Sequence, residues 1–227
     1  MLSSRENHDD RPPARTAILI SGRGSNMEAI VAAAREPDYP AEIVLVLSNR
    51  PDAAGLAWAT GEGIATETVD HSSFQTREDF DAALSDALNA ANVELVVLAG
   101  FMRRLGPEFV NDWRGRLINI HPSLLPSFRG LDVHNRMLEA GVRVAGCTTH
   151  FVEPDVDAGA IIAQAAVPVD PSDDAEALSA RILRQEHRIY PETVAAVASG
   201  RCRLEGGRAV WSARRVFSDE TDALQVL

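Results

Sequence analysis

The chain has 227 residues, 45% apolar and 24% charged, the balance of an ordinary globular protein long enough for one full core. Lys and Arg total 22 against 33 Asp and Glu, a formal charge of −11 that argues against a nucleic acid partner held by its phosphates. No apolar run reaches the ~20 residues of a membrane helix, the N-terminus lacks a secretory core, and only Cys147 and Cys202 are present, so the expectation is a cytoplasmic protein with no membrane partner, no disulfide framework and no cysteine zinc site.

Residues 1–14 are polar, carry Pro12 and Pro13 and show no periodicity, and are read as a disordered tail. A single domain follows over 15–213, in two halves that meet at residue 117, and residues 214–227 are read as a fraying C-terminal tail. Short β-branched runs predict strands at 17–21, 42–48, 65–69, 94–99 and 117–121. Amphipathic stretches between them predict helices at 27–35, 53–62, 77–92 and 107–113. Strands as continuously apolar as Ile43 to Leu47 belong to a parallel sheet covered on both faces, which makes the fold class α/β. Beyond residue 121 the spacing predicts a helix at 133–140, then strands at 144–151 and 160–167 close enough to form an antiparallel or mixed extension. A long helix follows over 174–199, interrupted at Pro191, with Asp173 or Asp174 as its N-cap. A short hairpin turns at Gly206-Gly207.

Residues 118–126, Ile-Asn-Ile-His-Pro-Ser-Leu-Leu-Pro, are the most informative stretch. Asn119 and His121 are two apart and point to one side of an extended segment that Pro122 ends. An amide donor and an imidazole therefore sit together at a strand end, where open α/β sheets put their ligand crevices. After the first strand, Gly22-Arg23-Gly24-Ser25-Asn26 leads into a helix. Met27 and Asn49 break the dinucleotide fingerprint, and no Gly-Lys-Ser/Thr follows for a P-loop. Gly24, Ser25 and Asn26 suit a single monophosphate at a helix N-terminus. Ser25 and Glu28 also form a capping box that needs no ligand, and the residues leave both readings open.

The run Leu98-Ala-Gly-Phe-Met102-Arg103-Arg-Leu105 leaves a buried strand as an apolar loop that either walls a flat ligand or packs on the sheet. Asp157, in the acidic turn 153–159, is placed to orient His121 and stabilise its cationic form, or is an ordinary turn residue. His134 and His150 are by type structural hydrogen-bonders. No metal is expected, because the histidines and carboxylates lack ligand spacing on any one element.

Taken together these segments resemble the phosphoribosylglycinamide formyltransferase family over roughly residues 16–213. The resemblance rests on Ser-Gly-Arg-Gly-Ser-Asn at 21–26, Leu-Ala-Gly-Phe-Met-Arg at 98–103 and Asn-Ile-His-Pro-Ser-Leu-Leu-Pro at 119–126. Further support comes from Thr-His-Phe-Val at 149–152, Asp157, and Gln-Glu-His at 185–187 before Tyr190-Pro191. It implies a Rossmann-like, mostly parallel sheet with helices on both faces and a mixed C-terminal extension, the formyltransferase fold. It implies 10-formyltetrahydrofolate as cosubstrate, glycinamide ribonucleotide as acceptor and small molecules as the only partners. Carried over, Asn119, His121 and Asp157 are catalytic, with His150 and His134 in support. Gly24, Ser25 and Asn26 hold the phosphate and Glu186 the ribose. Leu98, Met102, Arg103, Leu105 and Asp155 line the folate pocket.

Two positions depart from better-known members: the segment Ser127 to His134, including Asp132, and Leu183 near the phosphate. Rival readings are a formyltetrahydrofolate hydrolase, expected to carry an extra N-terminal domain, and a methionyl-tRNA formyltransferase, expected to carry an RNA-binding domain and a basic surface. The third is a nucleotide-binding module with an idle pocket. Monomer and homodimer stay open, with Trp113 or the C-terminal tail as the contact in a dimer.

Overall fold

The computed structural model describes residues 12–212 and a two-residue strand at 225–226. The chain runs β1 (Ala14–Ile20), α1 (Ser25–Ala33), β2 (Ala41–Ser48), α2 (Ala54–Gly61), β3 (Thr66–Thr68), α3 (Arg77–Ala90), β4 (Leu95–Leu98), α4 (Pro107–Asp112) and β5 (Leu117–His121). It continues α5 (Val133–Glu139), β6 (Val144–Phe151), β7 (Ile161–Pro168), α6 (Ala175–Ala198), β8 (Cys202–Glu205), β9 (Arg208–Trp211) and β10 (Gln225–Val226).

One sheet has the order β10-β7-β6-β5-β4-β1-β2-β3. The pairs β1–β2, β1–β4, β2–β3 and β4–β5 are parallel, whereas β5–β6, β6–β7 and β7–β10 are antiparallel. Alternation along each strand builds a core on either face. On one face Ile18, Ile20, Val46, Val97 and Ile118 pack with Met27, Ile30, Met137, Ile182 and Tyr190 from α1, α5 and α6. On the other, Ala17, Leu19, Leu47, Val96 and Leu117 pack with Phe80, Leu84, Leu88, Phe109 and Trp113 from α3 and α4. Strand order reverses between β1 and β4, so their C-terminal ends open the crevice in which such sheets bind ligands.

Several expectations are corrected. Helix α6 is not interrupted at Pro191 but runs unbroken from Ala175 to Ala198. One missing N–H costs less than the packing of Leu178, Ile182, Ile189, Tyr190 and Val194 returns, and Tyr39 Oη–H donates to the Pro191 carbonyl at 2.7 Å. Its N-cap is Asp174, which accepts from Ala177 N–H; Asp173 pairs instead with Arg181. Ser25 is not an N-cap: Gly24 takes that position at φ 79°, and no side chain caps α1. Trp113 is 4% exposed, so it is core and offers no contact surface. Strand β1 begins at Ala14, inside the segment read as tail, and residues 1–11 lie outside the described residues. At the other end residues 225–226 pair with Gln164 and Ala165 of β7 rather than fraying, and the rest of that tail lies outside the described residues.

Candidate active site

Asn119 and His121 stand at the C-terminal end of β5, and the antiparallel register with β6 places His150 directly opposite Asn119. His150 Nδ1 lies 2.8 Å from the Phe151 carbonyl, so Nδ1 carries the proton and Nε2 is a bare acceptor. Asn119 Nδ2 donates to it at 3.2 Å. Burial lowers the His150 pKa and keeps the ring neutral. Its 3.8 Å approach to Asp157 is therefore a neighbour contact and not an ion pair. Asn119 retains one N–H and its carbonyl oxygen for a ligand.

His121 is 6% exposed. Its Nε2 lies 2.9 Å from the Phe128 carbonyl, and its Nδ1 lies 3.4 Å from Asp157 Oδ2. Both ring nitrogens thus face oxygen acceptors. The same Asp157 oxygen accepts Gly130 N–H at 2.8 Å, which ties the acidic turn to the loop after β5. Phe128, Asp132 and Asp157 all have positive φ, of 54°, 55° and 50°, a backbone state that non-glycine residues seldom adopt. Such strain gathers where geometry is over-determined by its surroundings. Ser123 is one such constraint, its hydroxyl donating to the Ser127 carbonyl at 2.7 Å.

Asn119, His121 and Asp157 line a cleft of 670 Å³ whose walls include Leu98, Phe101, Leu105, Val110, Val152 and Val156. Met102, Arg103 and Asp155 also line it, as do His134 and His150. Burial lowers the His134 pKa, and its Nε2 has no hydrogen-bond partner among the described residues. Asp132 is exposed on the cleft wall and accepts from Asn135.

The glycine loop builds the neighbouring part. Gly24 at φ 79° turns the chain so that α1 begins with Ser25, Asn26 and Met27, whose N–H groups have no partner within the helix. Close packing fixes this loop from beneath: a Cβ on Gly55 would lie 2.5 Å from Ile20 Cδ1 and 2.9 Å from the Arg23 carbonyl. The Ser25 hydroxyl makes no capping bond. Asn26 Nδ2 donates to Glu186 Oε2 at 2.7 Å, and Asn26 Oδ1 is buried without a partner among the described residues. Asn26 Nδ2 is thus engaged by Glu186, while the Asn26 backbone N–H stays open at the helix start. Burial raises the Glu186 pKa, partly offset by the Asn26 hydrogen bond. A second cleft of 410 Å³, lined by Ser21, Gly22, Asn49, Arg50, His71, Gly100, Met102 and Arg103, adjoins the first. No group of three or more His, Cys, Asp or Glu in metal-holding geometry occurs among the described residues, and no described helix is long and apolar enough to cross a membrane.

The structure thus joins the residues expected at the site into two connected groups, the 119–121–157 cleft and the 24–26–186 loop. The sequence reading missed Ser21, Gly55, Phe128 and Gly130. Only Ser21 carried a signal, as the first residue of the Ser-Gly-Arg-Gly-Ser-Asn run.

An α/β sheet with an amide, an imidazole and a carboxylate over an apolar cleft is the kind of site an enzyme uses for acyl chemistry, and the formyl transferase family matches residues 14–194; the chain belongs to that family. It is 42% identical over 199 residues to the phosphoribosylglycinamide formyltransferase of Escherichia coli (strain K12), covering 88% of this chain and 94% of the relative. It is 49% identical over 208 residues to the trifunctional purine biosynthetic protein adenosine-3 of Bos taurus, covering 90% of this chain but spanning only 21% of that relative's length. Among solved structures, glycinamide ribonucleotide transformylase 1 from Symbiobacterium toebii superposes with a TM-score of 0.86 at 46% identity, covering 92% of this chain and 99% of the other.

Proposed function

We propose that the chain transfers the formyl group of 10-formyltetrahydrofolate to the amine of glycinamide ribonucleotide, giving formylglycinamide ribonucleotide and tetrahydrofolate in purine biosynthesis. The observation that carries this reading is the convergence of Asn119, His121 and Asp157 on one apolar cleft, which shares Gly100, Met102 and Arg103 with a second cleft lined by Ser21 and Gly22 at the start of the glycine loop. Ser25, Gly24 and the Asn26 backbone hold the phosphate, and Glu186 accepts the ribose hydroxyls. Leu98, Met102, Leu105 and the 153–157 turn seat the flat ring of the folate, with Arg103 and Asp155 at the edge.

The neutral amine attacks the formyl carbon, placing negative charge on the formyl oxygen and positive charge on nitrogen. The free Asn119 N–H donates to that oxygen, and so does protonated His121. Each such donor typically accounts for ~3 kcal/mol of transition-state stabilisation. For His121 Nε2–H to reach the oxygen, the Phe128 carbonyl that engages it at 2.9 Å has to yield. Asp157 holds the cationic ring and relays the proton lost by the attacking nitrogen to the folate nitrogen that leaves. The nucleophile belongs to the substrate, so no enzyme serine or cysteine is needed.

The test is tetrahydrofolate release from 10-formyltetrahydrofolate, with and without glycinamide ribonucleotide. Release only with the ribonucleotide is expected, together with severe loss of turnover in Asn119→Ala and Asp157→Asn while ribonucleotide binding survives. Release without the ribonucleotide would favour a hydrolase, and near wild-type turnover in either variant would remove the catalytic assignment.

A further inference from the structure

Ser21 lies at the foot of both substrate loops and has no role in the chemistry above. It follows β1, one residue before the glycine loop opens. Its backbone N–H donates to the Gly100 carbonyl at 3.1 Å. Its hydroxyl accepts Met102 N–H at 2.7 Å and donates to Asn49 Oδ1 at 2.5 Å. Asn49 is anchored in turn, since His71 Nδ1 sits 2.8 Å from its carbonyl. Ser21 is 6% exposed and Asn49 2%.

One hydroxyl therefore fastens segments that leave the C-terminal ends of β1, β2 and β4, with His71 adding the segment after β3. These cover the point where the strand order reverses, and Ser21 hydrogen-bonds there from the loop after β1 to the loop after β4 through both its N–H and its hydroxyl. A backbone N–H alone would leave Met102 free to slide along Ser21. The hydroxyl supplies the second bond that sets register, and Asn49 fixes its rotamer by taking its only proton.

We propose that Ser21 is a positioning residue that fixes the spacing between the nucleotide loop and the folate loop, and so acts on the rate of formyl transfer rather than on the affinity for either substrate. The inference rests on the substrate placement given under Proposed function. Attacking nitrogen and formyl carbon must approach to ~3–3.5 Å in line, and a misplacement of ~1 Å costs on the order of a hundredfold in rate. Each substrate still meets its own loop when Ser21 is altered. What changes is the distance between the two loops.

The test is Ser21→Ala, followed by single turnover with enzyme in excess of the ribonucleotide and well above its Kd, 10-formyltetrahydrofolate saturating, alongside the two KM values and the melting temperature. The first-order rate constant is expected to fall about tenfold or more, with each KM within about threefold of wild type. A partial loss of folded protein leaves the rate constant unchanged while enzyme remains in excess, and an unchanged rate constant overturns the proposal. A rise in one KM with an unchanged rate constant also overturns it, because Ser21 would then serve one loop alone. Asn49→Ala keeps the Met102 bond but releases the hydroxyl, and is expected to slow the same step about threefold; if Ser21→Ala does not fold, an unchanged rate constant in Asn49→Ala is the overturning result. Failure of the underlying substrate placement is distinguishable, since Asp157→Asn and Glu186→Gln would then leave transfer intact whatever Ser21→Ala does.

Discussion

Asn119 Nδ2 donates to His150 Nε2 at 3.2 Å across the β5–β6 pair, and the proton that makes His150 an acceptor there is fixed on Nδ1 by the Phe151 carbonyl. A buried, neutral histidine thereby decides which way the Asn119 amide faces. His150→Ala is expected to lower kcat about tenfold, the value of one ~1 kcal/mol hydrogen bond and some lost orientation, with both KM values little changed. Steady-state kinetics check this. A kcat within twofold of wild type would show that Asn119 is oriented by other contacts.

Glu186 couples stability to pH. Burial holds its folded-state pKa above the unfolded value, so the protonated form favours folding. That contribution is fully present below the unfolded pKa and is lost as pH rises through the folded one. Glu186→Gln keeps an oxygen for Asn26 N–H but cannot ionise. Its melting temperature is expected to match wild type in acid and to exceed it increasingly toward neutral pH. The ribonucleotide KM should rise about tenfold or more as one carboxyl oxygen acceptor is lost. Thermal melts across pH and initial rates at one pH test the two halves separately.

Ser25 has no capping bond to lose, because Gly24 occupies the N-cap. Ser25→Ala is accordingly expected to change stability by no more than ~0.5 kcal/mol, the range of an uncommitted surface position. The ribonucleotide KM should rise severalfold while the folate KM holds. If it does not rise, the phosphate is held by backbone N–H groups alone.

Gly55 supports the glycine loop from the start of α2. A methyl group there meets Ile20 Cδ1 at 2.5 Å and the Arg23 and Gly22 carbonyls at 2.9 and 3.1 Å. Overpacking of this kind costs ~1–3 kcal/mol, and here it pushes directly on the loop. Gly55→Ala should therefore raise the ribonucleotide KM well beyond the folate KM. Gly61→Ala, with nothing within 4 Å of the new carbon, is the control and should change neither.

Much of this was legible in the sequence, and the reason is that its signals are local. Pairs such as Ile18/Ile20 and Ala17/Leu19 in β1 announce a strand with two buried faces, and Pro122 ends β5 just where Asn119 and His121 must project. Residue type and a two-residue spacing suffice for such statements. Pro191 shows their limit: its missing N–H is a local cost, and α6 continues because packing against α1 and the sheet outweighs it.

What the tertiary structure decided is everything set by register and by contacts between distant segments. His150 faces Asn119 only because β5 and β6 pair with those two residues opposite, 31 positions apart. Asp157 reaches His121 only because a positive-φ turn folds back on the loop after β5, and Ser21 joins two loops 81 residues apart through one hydroxyl. Periodicity carries no information on such pairings. They are fixed by the order in which strands assemble and by which buried donor finds which acceptor.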